Sequence, residues 1–595
     1  MHPTEPAPAR SRYVAGGLVL LALAALLHGR VGRATASPAP APASPAAAPV
    51  AFAKVTVSGA VNDRHREAVG DCRITVLVDG TPVKAPPGGF RSGEGGGYRL
   101  DFELPLAQAE RGRVALVFER TTFRRLGPVE VPGLHRQPGP AAAYVAHLDV
   151  ALDRARSAAF WVALLVLIAI YVLIAAEVMH RTLAALLGAS VVLVLTYTVG
   201  HFDPDWVVIT FPDAMRAIDW NVIFLLFGMM IIVGILKHTG LFQWLAFKSF
   251  QVARGKVYVL SVIMMFVTAI TSAFLDNVTT MLLLTPVAIE ICVILKLHPF
   301  SLLLPLVLAS NFGGTATLIG DPPNIMIGSF AGLTFNDFAV KLTPVVLIVM
   351  VAQALMSKLW YRKEYRAAQL DETALQRLFV SMETRYSITD RKLMWLGLGV
   401  LGVVIGMFIL HGALHMEVSV AALLGAAALL CISGKDLMHI LEKDVEWSSL
   451  VFFMMLFIVV GAAAKTGLLQ VVADWVLKVS GGDLVVAILV IAWVSAILSA
   501  VIDNIPFTAT MLPIVAYMTK NLPGAESMVL FWALSLGACF GGNGTLVGAS
   551  ANIVTAGLLE KAGYPVSFRT FLKVGMPFML MSMIIASIYL LLVLK

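Results

Sequence analysis

The chain has 595 residues, of which 58% are hydrophobic and 14% charged. Soluble domains carry about a quarter charged residues, so this composition excludes an ordinary soluble protein and predicts that most of the chain lies in lipid. The net charge of +7 does not indicate nucleic-acid binding, because the basic residues concentrate beside apolar segments, where membrane topology places them. Three of the four cysteines fall in apolar segments, which favours neither a disulfide framework nor a zinc site.

The N-terminal residues predict an exported segment. Residues 1–36 combine basic residues, a short apolar run and the small-residue pattern Ala34-Thr35-Ala36, which is typical of a cleavable signal peptide. Arginines after the apolar run leave an uncleaved anchor open. Residues 37–51 are rich in Pro and Ala without an amphipathic period and predict a semi-rigid linker.

Residues 52–153 predict a small periplasmic β-sandwich. Short alternating runs are separated by Gly and Pro turns and occur at 54–57, 73–78, 98–104 and 144–152. A structural cap on the outer face of the membrane domain is the favoured interpretation, because no motif with chemistry occurs here. A ligand sensor or partner-docking module is the alternative.

Eight uninterrupted apolar segments predict simple membrane crossings. They lie at about 157–176, 182–199, 220–236, 338–357, 393–410, 417–433, 447–463 and 571–593. The regions 257–330 and 484–559 are apolar but broken by polar residues. The connection 361–392 carries seven basic residues and the segment 237–256 carries four, so both are predicted to face the cytoplasm.

The second half of the chain repeats the first at an offset of about 227 residues. The Asp276-Asn277 pair aligns with Asp503-Asn504, and Gly313-Gly314 aligns with Gly541-Gly542. Repeat 1 spans 157–360 and repeat 2 spans 393–595, joined by the cytoplasmic linker 361–392. If the sandwich lies outside and the linker inside, repeat 1 crosses an odd number of times and repeat 2 is inverted, as in transporters.

The predicted fold is therefore an all-α polytopic membrane protein of two inverted repeats, preceded by the small extramembrane β-sandwich. Each repeat holds a re-entrant hairpin, at 257–294 and 484–520, followed by a broken helix. The mixed segments 241–254 and 468–479 predict interfacial helices before each hairpin.

The two Asp-Asn pairs carry the first part of the candidate site. Non-helical backbone at membrane depth needs protein or a water-filled cavity to satisfy it, so each pair is predicted to be a hairpin tip near the midplane. An Asp in hydrocarbon is normally paired, protonated or holding a cation, and sodium prefers such oxygen ligands. The alternative is that each Asp only caps the helix that follows. The candidate ligands are Asp276, Asn277, Thr279, Thr280, Asp503, Asn504 and Thr508.

Paired glycines carry the second part, because they unwind a span and expose backbone groups to a ligand. Close helix packing is the alternative role for such glycines. Asp321 has no acidic counterpart in repeat 2 and is either a proton or gating site or a turn residue. The candidates in these broken spans are Gly313, Gly314, Thr315, Thr317, Asp321, Asn324, Gly541, Gly542, Asn543, Thr545 and Asn552.

The motifs Ala273–Thr280 and Gly313–Asn324 closely resemble the ion transporter superfamily, which includes citrate carriers, arsenite permeases, sodium/proton antiporters and sodium-coupled dicarboxylate carriers. Within it the chain looks most similar to the pigment-cell P-protein branch. The resemblance covers about 157–595. It implies a scaffold and a transport domain, an elevator-like movement and a homodimer.

The resemblance also bears on the substrate. Dicarboxylate carriers of the superfamily use Ser-Asn-Thr at both tips, and Asn277 and Asn504 match the Asn. Asp276 and Asp503 stand in place of Ser, which leaves a dicarboxylate substrate unsupported. Acidic tips are more similar to the antiporter and P-protein branches, for which sodium/proton exchange and a chloride conductance are implied.

The sequence thus predicts a secondary transporter of an ion or small anion in the bacterial inner membrane, coupled to sodium or protons and without another cofactor. Asp276, Asn277, Asp503 and Asn504 are the hypothetical sodium ligands, with Thr279, Thr317 and Thr545 completing the site. A sodium/proton antiporter and a passive anion channel are the alternatives. A receptor is disfavoured because no cytoplasmic signalling domain is seen after the last span, and an intramembrane enzyme because no catalytic fingerprint occurs at membrane depth.

Overall fold

The computed structural model describes residues 52–63, 68–86, 89–93, 95–120, 123–137, 143–153, 156–176, 178–367, 379, 382–383 and 385–594. The predicted signal peptide and linker lie outside the described residues, as does much of 368–384. The chain divides into two compact units. The first is Met1–Ala163 with Leu193–Thr210 and Lys465–Gly467, and the second is Leu164–Val192, Phe211–Ala464 and Leu468–Lys595.

The first unit contains two small β-sheets, as the alternating pattern predicts. In one sheet, β1 (Phe52–Asp63) pairs with β5 (Gly97–Pro105) antiparallel and with β9 (Ala143–His147) and β10 (Val150–Leu152) parallel. The fifth strand of this sheet is β8 (His135–Arg136), which pairs with β9 antiparallel. Along β5 every second residue is buried, which is the period of a strand with one apolar face.

The second sheet has the strand order β3 (Thr81–Pro82), β2 (Arg73–Val78), β6 (Val114–Glu119) and β7 (Leu126–Glu130), and β4 (Phe90–Arg91) is also paired to β2. The side chains between the sheets form one hydrophobic core. Cys72 lies in this core, and burial raises the pKa of its thiol to about 11. It is a packing residue of low reactivity. One short helix, α1 (Leu106–Arg111), lies between β5 and β6 in the chain.

Long apolar helices make up most of the rest of the chain. Among the described residues, ten helices are long and apolar enough to cross a membrane. The helices of the first half are α2 (Ala158–Ala175), α3 (Arg181–Tyr197), α4 (Val199–Phe202), α5 (Phe211–Ala217), α6 (Trp220–Lys237), α7 (Leu241–Ala253), α8 (Val257–Phe274), α9 (Asn277–Ile294), α10 (Phe300–Thr315), α11 (Pro322–Ala331), α12 (Phe335–Trp360) and α13 (Arg362–Ala367).

The second half follows the same plan. Its helices are α14 (Arg391–Leu414), α15 (Val418–Ser433), α16 (Leu437–Lys443), α17 (Trp447–Lys465), α18 (Leu468–Ser480), α19 (Leu484–Val501), α20 (Asn504–Asn521), α21 (Val529–Gly541), α22 (Ser550–Lys561) and α23 (Phe568–Tyr589). The mostly helical architecture, the small N-terminal sheets and the paired hairpins confirm the predicted fold class. Re-entrance, sidedness and the exact domain limits stay predictions.

The hairpins α8–α9 and α19–α20 turn at the two Asp-Asn pairs. In each half the first hairpin arm packs on the broken span of its own repeat, α8 on α10 and α19 on α21. The second arm packs on the other repeat, α9 on α22 and α20 on α11. This crossed packing brings both tips and both helix breaks to one place in the second unit.

Candidate functional site

Both tip aspartates begin the second arm of their hairpin. The carboxylate of Asp276 accepts a hydrogen bond from the backbone N–H of Thr279 at 2.9 Å, and Asp503 accepts one from the N–H of Ile505 at 3.3 Å. These are N-cap bonds, which satisfy donors left free at a helix start. Both aspartates therefore cap the helix that follows, and their role as cation ligands stays a prediction. Each cap bond uses Oδ1 of the carboxylate, and in Asp503 the other oxygen accepts from Arg181 and Ser550.

A small cavity lies where the tips meet. Two acidic residues outside the hairpins, Asp321 and Glu446, contribute to it along with the tip of each repeat. It is lined by Arg181, Leu226, Met230, Asp276, Asn277, Val278, Asp321, Pro322, Glu446, Ser449, Phe453, Asn504, Ile505 and Ser550. The predicted residues Asp276, Asn277, Asp321 and Asn504 are thus brought to one cavity.

Arg181 forms the only ion pair described at this site. Its Nη1 donates to Asp503 Oδ2 at 3.0 Å and to Ser550 Oγ at 2.6 Å, and its Nη2 donates to Ser449 Oγ at 3.2 Å. Ser550 Oγ also donates to Asp503 at 2.9 Å. The side chain of Asp503 is 9% exposed and that of Arg181 is 23% exposed. The pair is therefore largely desolvated, and each charge depends on the other.

Asp321 introduces an asymmetry between the two halves. Asn504 Nδ2 of the second tip donates to both carboxylate oxygens of Asp321, at 3.4 and 3.3 Å. The position equivalent to Asp321 in repeat 2 is Ala549, whose side chain has no hydrogen-bond acceptor. Asn277 of the first tip instead donates to Asn311 Oδ1 at 3.1 Å. Asp321 is buried and contacts the opposite repeat, so it is part of the site and not an isolated turn residue.

Three asparagines link the two broken spans. Asn311 Nδ2 donates to Asn543 Oδ1 at 2.8 Å and to Asn552 Oδ1 at 3.2 Å. Asn552 Nδ2 donates to the carbonyls of Gly542 and Thr545, both at 2.9 Å. Unwound backbone at this depth is therefore satisfied by side-chain amides. Asn543 Nδ2 is buried with no partner among the described residues.

Asn324 has the equivalent role in repeat 1. Its Nδ2 donates to the carbonyls of Thr315 and Thr317, both at 3.0 Å, and its Oδ1 accepts from Ser535 Oγ at 2.6 Å. Asn324 and Asn552 thus bond the carbonyls around the helix break of each repeat.

Three predicted threonines fasten the backbone and do not line the cavity. Thr317 donates to the carbonyl of Ala273, and Thr545 donates to the carbonyl of Ala500 at 2.5 Å. Thr508 donates to the carbonyl of Asn504 at 2.7 Å. In each repeat a threonine of the broken span therefore ties that span to the first hairpin arm. Thr280 is buried, and its hydroxyl has no partner among the described residues.

The glycine pairs allow close packing as well as helix breaks. A Cβ on Gly313 would lie closer than 3.0 Å to backbone atoms of Ala269, and one on Gly541 would meet Ala496 in the same way. Gly314 and Gly542 approach the backbone of Gly320 and Gly548. The close-packing interpretation is therefore correct, whereas exposure of backbone groups to a ligand stays a prediction, and no glycine of the pairs lines the cavity.

Four polar cavity residues were not among the sequence candidates: Arg181, Glu446, Ser449 and Ser550. Arg181 and Glu446 flank apolar helices, where charged residues usually anchor a span at the interface. A usable signal existed for Ser550, which lies two residues before Asn552 in the broken span. Among the described residues no group of three His, Cys, Asp or Glu side chains is arranged to hold a metal. A sodium site here needs Asn or backbone oxygens beside the carboxylates.

Replacing Asn311 by alanine should destabilise the protein by about 2–4 kcal/mol. The substitution removes the hydrogen bonds that Asn311 makes to the buried side-chain amides of Asn277, Asn543 and Asn552. Thermal unfolding of the detergent-purified protein measures this. The matched control is Cys539→Ala at the equivalent position of repeat 2, where the weaker contacts of a thiol are lost, among them one to Asn324 at 3.8 Å. Equal shifts for the two variants would contradict a structural role for the asparagine network.

The long apolar helices and the charged cavity at the two repeated hairpins are the features of a multi-pass membrane protein. The citrate transporter family (CitMHS) matches residues 171–537, more than half of the chain, and the chain belongs to this family. The resemblance inferred from the two motifs is thereby confirmed.

Individual relatives extend this finding. The chain is 42% identical over 431 residues to an uncharacterized transporter of Mycobacterium tuberculosis, covering 72% of this chain and 97% of the relative. It is 36% identical over 510 residues to the P protein of Sus scrofa, covering 72% of this chain and 59% of that protein. Among solved structures, the Alcanivorax borkumensis YdaH transporter matches 69% of this chain and 98% of its own, with 14% identity and a TM-score of 0.49.

Proposed function

We propose that the protein is a secondary transporter that moves a small anion across the bacterial inner membrane in step with sodium or protons. One observation carries the proposal: Asp276, Asp321 and Glu446 line a single cavity at the two hairpin tips, beside the Arg181–Asp503 pair. Intramembrane charges are costly and are kept where they serve a pathway. The family's description as citrate transporters makes a small anion the natural cargo.

In this proposal the carboxylates Asp276 and Asp503 bind the coupling cation, together with Asn277 and Asn504. A cation lowers the electrostatic cost of several carboxylates in one desolvated cavity. Asp321 accepts from Asn504 and belongs to the same group of negative charges. Movement would follow the crossed packing, because the hairpins and broken spans of both repeats are fastened to each other as one body. An elevator-like slide of that body and a homodimer are part of the proposal.

Flux in proteoliposomes under imposed sodium, proton and chloride gradients tests this function. Radiolabelled sodium, a pH-sensitive dye, chloride and radiolabelled citrate report the transported ions. We expect flux driven by a cation gradient in the unaltered protein, and its loss by at least about tenfold in Asp276→Asn plus Asp503→Asn, since both changes remove a cation ligand.

The substitution separates charge from capping, because Asn is as good an N-cap as Asp. Asp483→Asn is the matched control: Asp483 caps α19 of the second hairpin by accepting from Val485 and Val486 but does not line the cavity. Flux that keeps its cation dependence in the double variant would disprove the proposal. A chloride current that is indifferent to cation gradients and to both substitutions would identify a passive anion channel.

A further inference from the structure

Arg181 is the one positively charged side chain among the described residues that line the cavity. It begins α3, in a segment to which the sequence assigns no role in the site. Its closest charged partner is Asp503, at 3.0 Å. Asp276, Asp321 and Glu446 line the same cavity. An anion entering this cavity would meet three acidic groups in its lining and a single cation, which is already paired with Asp503, so anion binding requires Arg181 to be released from that pair.

The guanidinium is held in a defined position with hydrogen-bonding capacity to spare. It lies 5.3 Å from the centroid of the Phe452 ring and donates three hydrogen bonds, to Asp503, Ser550 and Ser449. A guanidinium has five N–H donors in a fixed fork. Among the residues the structure describes, no acceptor contacts the other two. The fork matches the two oxygens of a carboxylate, which it can bind with parallel hydrogen bonds.

A carboxylate on the unused donors of Arg181 would lie beside the carboxylate of Asp503, so the two like charges would compete for one cation and the incoming one would replace Asp503. Asp503 is joined to Arg181 directly and through Ser550 Oγ, which donates to it at 2.9 Å. If a substrate carboxylate takes its place on Arg181, Asp503 is left as a desolvated charge without a cationic partner, which is strongly unfavourable. A cation bound at Asp503 removes that cost. Cation binding without an anion would leave Arg181 unpaired in the same way.

We propose that Arg181 binds the carboxylate of a small anionic substrate in exchange for Asp503, while the coupling cation binds Asp503. The proposal rests on the function proposed above and names the substrate class and the residue that recognises it. Each ion makes the binding of the other favourable, so the exchange of partners couples cation and anion without a long-range conformational signal.

The proposal makes the effect of Asp503→Asn on anion binding opposite in sign to its effect on coupled flux. Asn removes the competing charge and leaves Arg181 free for the substrate. Without sodium, this variant should bind the carboxylate about 10- to 100-fold more tightly than the unaltered protein, the range of a charge-assisted hydrogen bond. Adding Arg181→Gln to Asp503→Asn should abolish that gain, and this pair leaves no charge unpaired.

Equilibrium binding of radiolabelled citrate and succinate to the detergent-purified protein tests this, with chloride as competitor. The variants are Asp503→Asn, Arg181→Gln/Asp503→Asn, and the control Arg569→Gln/Asp503→Asn, which removes an exposed cation of α23 outside the cavity. Tight binding of at least one carboxylate in the first and third variants, and its loss in the second, supports the proposal.

Three outcomes would overturn it: equal affinity with and without Arg181, no binding of either carboxylate to Asp503→Asn, or binding of chloride alone. None of these depends on a cation gradient. One of these outcomes can occur while the unaltered protein shows gradient-driven flux in proteoliposomes and Asp276→Asn plus Asp503→Asn does not. In that case the proposed function is supported and the proposed role of Arg181 is disproved. Absence of any gradient-driven flux in the unaltered protein would instead remove the proposed function itself.

Discussion

Alanine at Gly313 and Gly541 should greatly reduce the amount of folded protein. In each repeat the new Cβ would lie closer than 3.0 Å to backbone atoms of the facing hairpin arm, at Ala269 and Ala496. Backbone cannot move aside as a side chain can, and overpacking costs about 1–3 kcal/mol or more per site. Because α8 packs on α10 and α19 on α21, the clash would separate each hairpin from its broken span.

Thermal unfolding and the yield of monodisperse protein measure this effect. We expect the free energy of unfolding of each single variant to fall by about 3 kcal/mol. This loss remains after the opposing gain of roughly 1 kcal/mol in helix propensity that alanine has over glycine. The control is Gly402→Ala in α14, where the exposed position has open space around the new Cβ. If Gly313→Ala and Gly402→Ala unfold at the same temperature, the glycine pairs do not act through close backbone approach.

Removing the charge of Arg181 alone should destabilise the protein more than removing both charges of the pair. Arg181→Gln leaves the carboxylate of Asp503, which is 9% exposed, without its cation. Breaking a buried pair in this way costs about 3–5 kcal/mol, and the partial exposure of Arg181 places the expected loss at the lower end. In Arg181→Gln/Asp503→Asn no charge is stranded, so part of the loss should be recovered.

The double-mutant cycle of these variants gives the coupling energy, from unfolding in detergent without added sodium. We expect at least about 1 kcal/mol, since the two groups are in direct contact. Sodium should stabilise Arg181→Gln more than the unaltered protein if a cation can take the place of the guanidinium. Additive single effects would mean that the pair contributes no specific interaction.

The threonines show how far a motif can be interpreted. Thr317 and Thr545 stand at matched positions of the two repeats and were predicted as ligands, whereas their hydroxyls donate to the carbonyls of Ala273 and Ala500. A hydroxyl in a helix break can serve a ligand or the nearest carbonyl equally well. Which partner it has depends on how closely the hairpin arm approaches, and the sequence carries no measure of that distance.

The helices, the internal repeat and the two hairpin tips could be predicted from the sequence alone. The length of an apolar segment indicates whether it can form a membrane-spanning helix. An Asp-Asn pair at the same position in both halves indicates a break in the helix, whose backbone groups must be satisfied by protein or by a water-filled cavity. The bounds of α8, α9, α19 and α20 accordingly fall beside the predicted tips.

The contacts between charged and polar groups of the site could be seen only in the tertiary structure. Arg181 and Asp503 are separated by 322 positions, and Asn504 and Asp321 by 183. These contacts arise because each second hairpin arm packs on the opposite repeat, a choice made by the shapes of whole helices. No local periodicity encodes it, so an arginine at the start of an apolar helix is indistinguishable in sequence from an interface anchor until its partner across the fold is known.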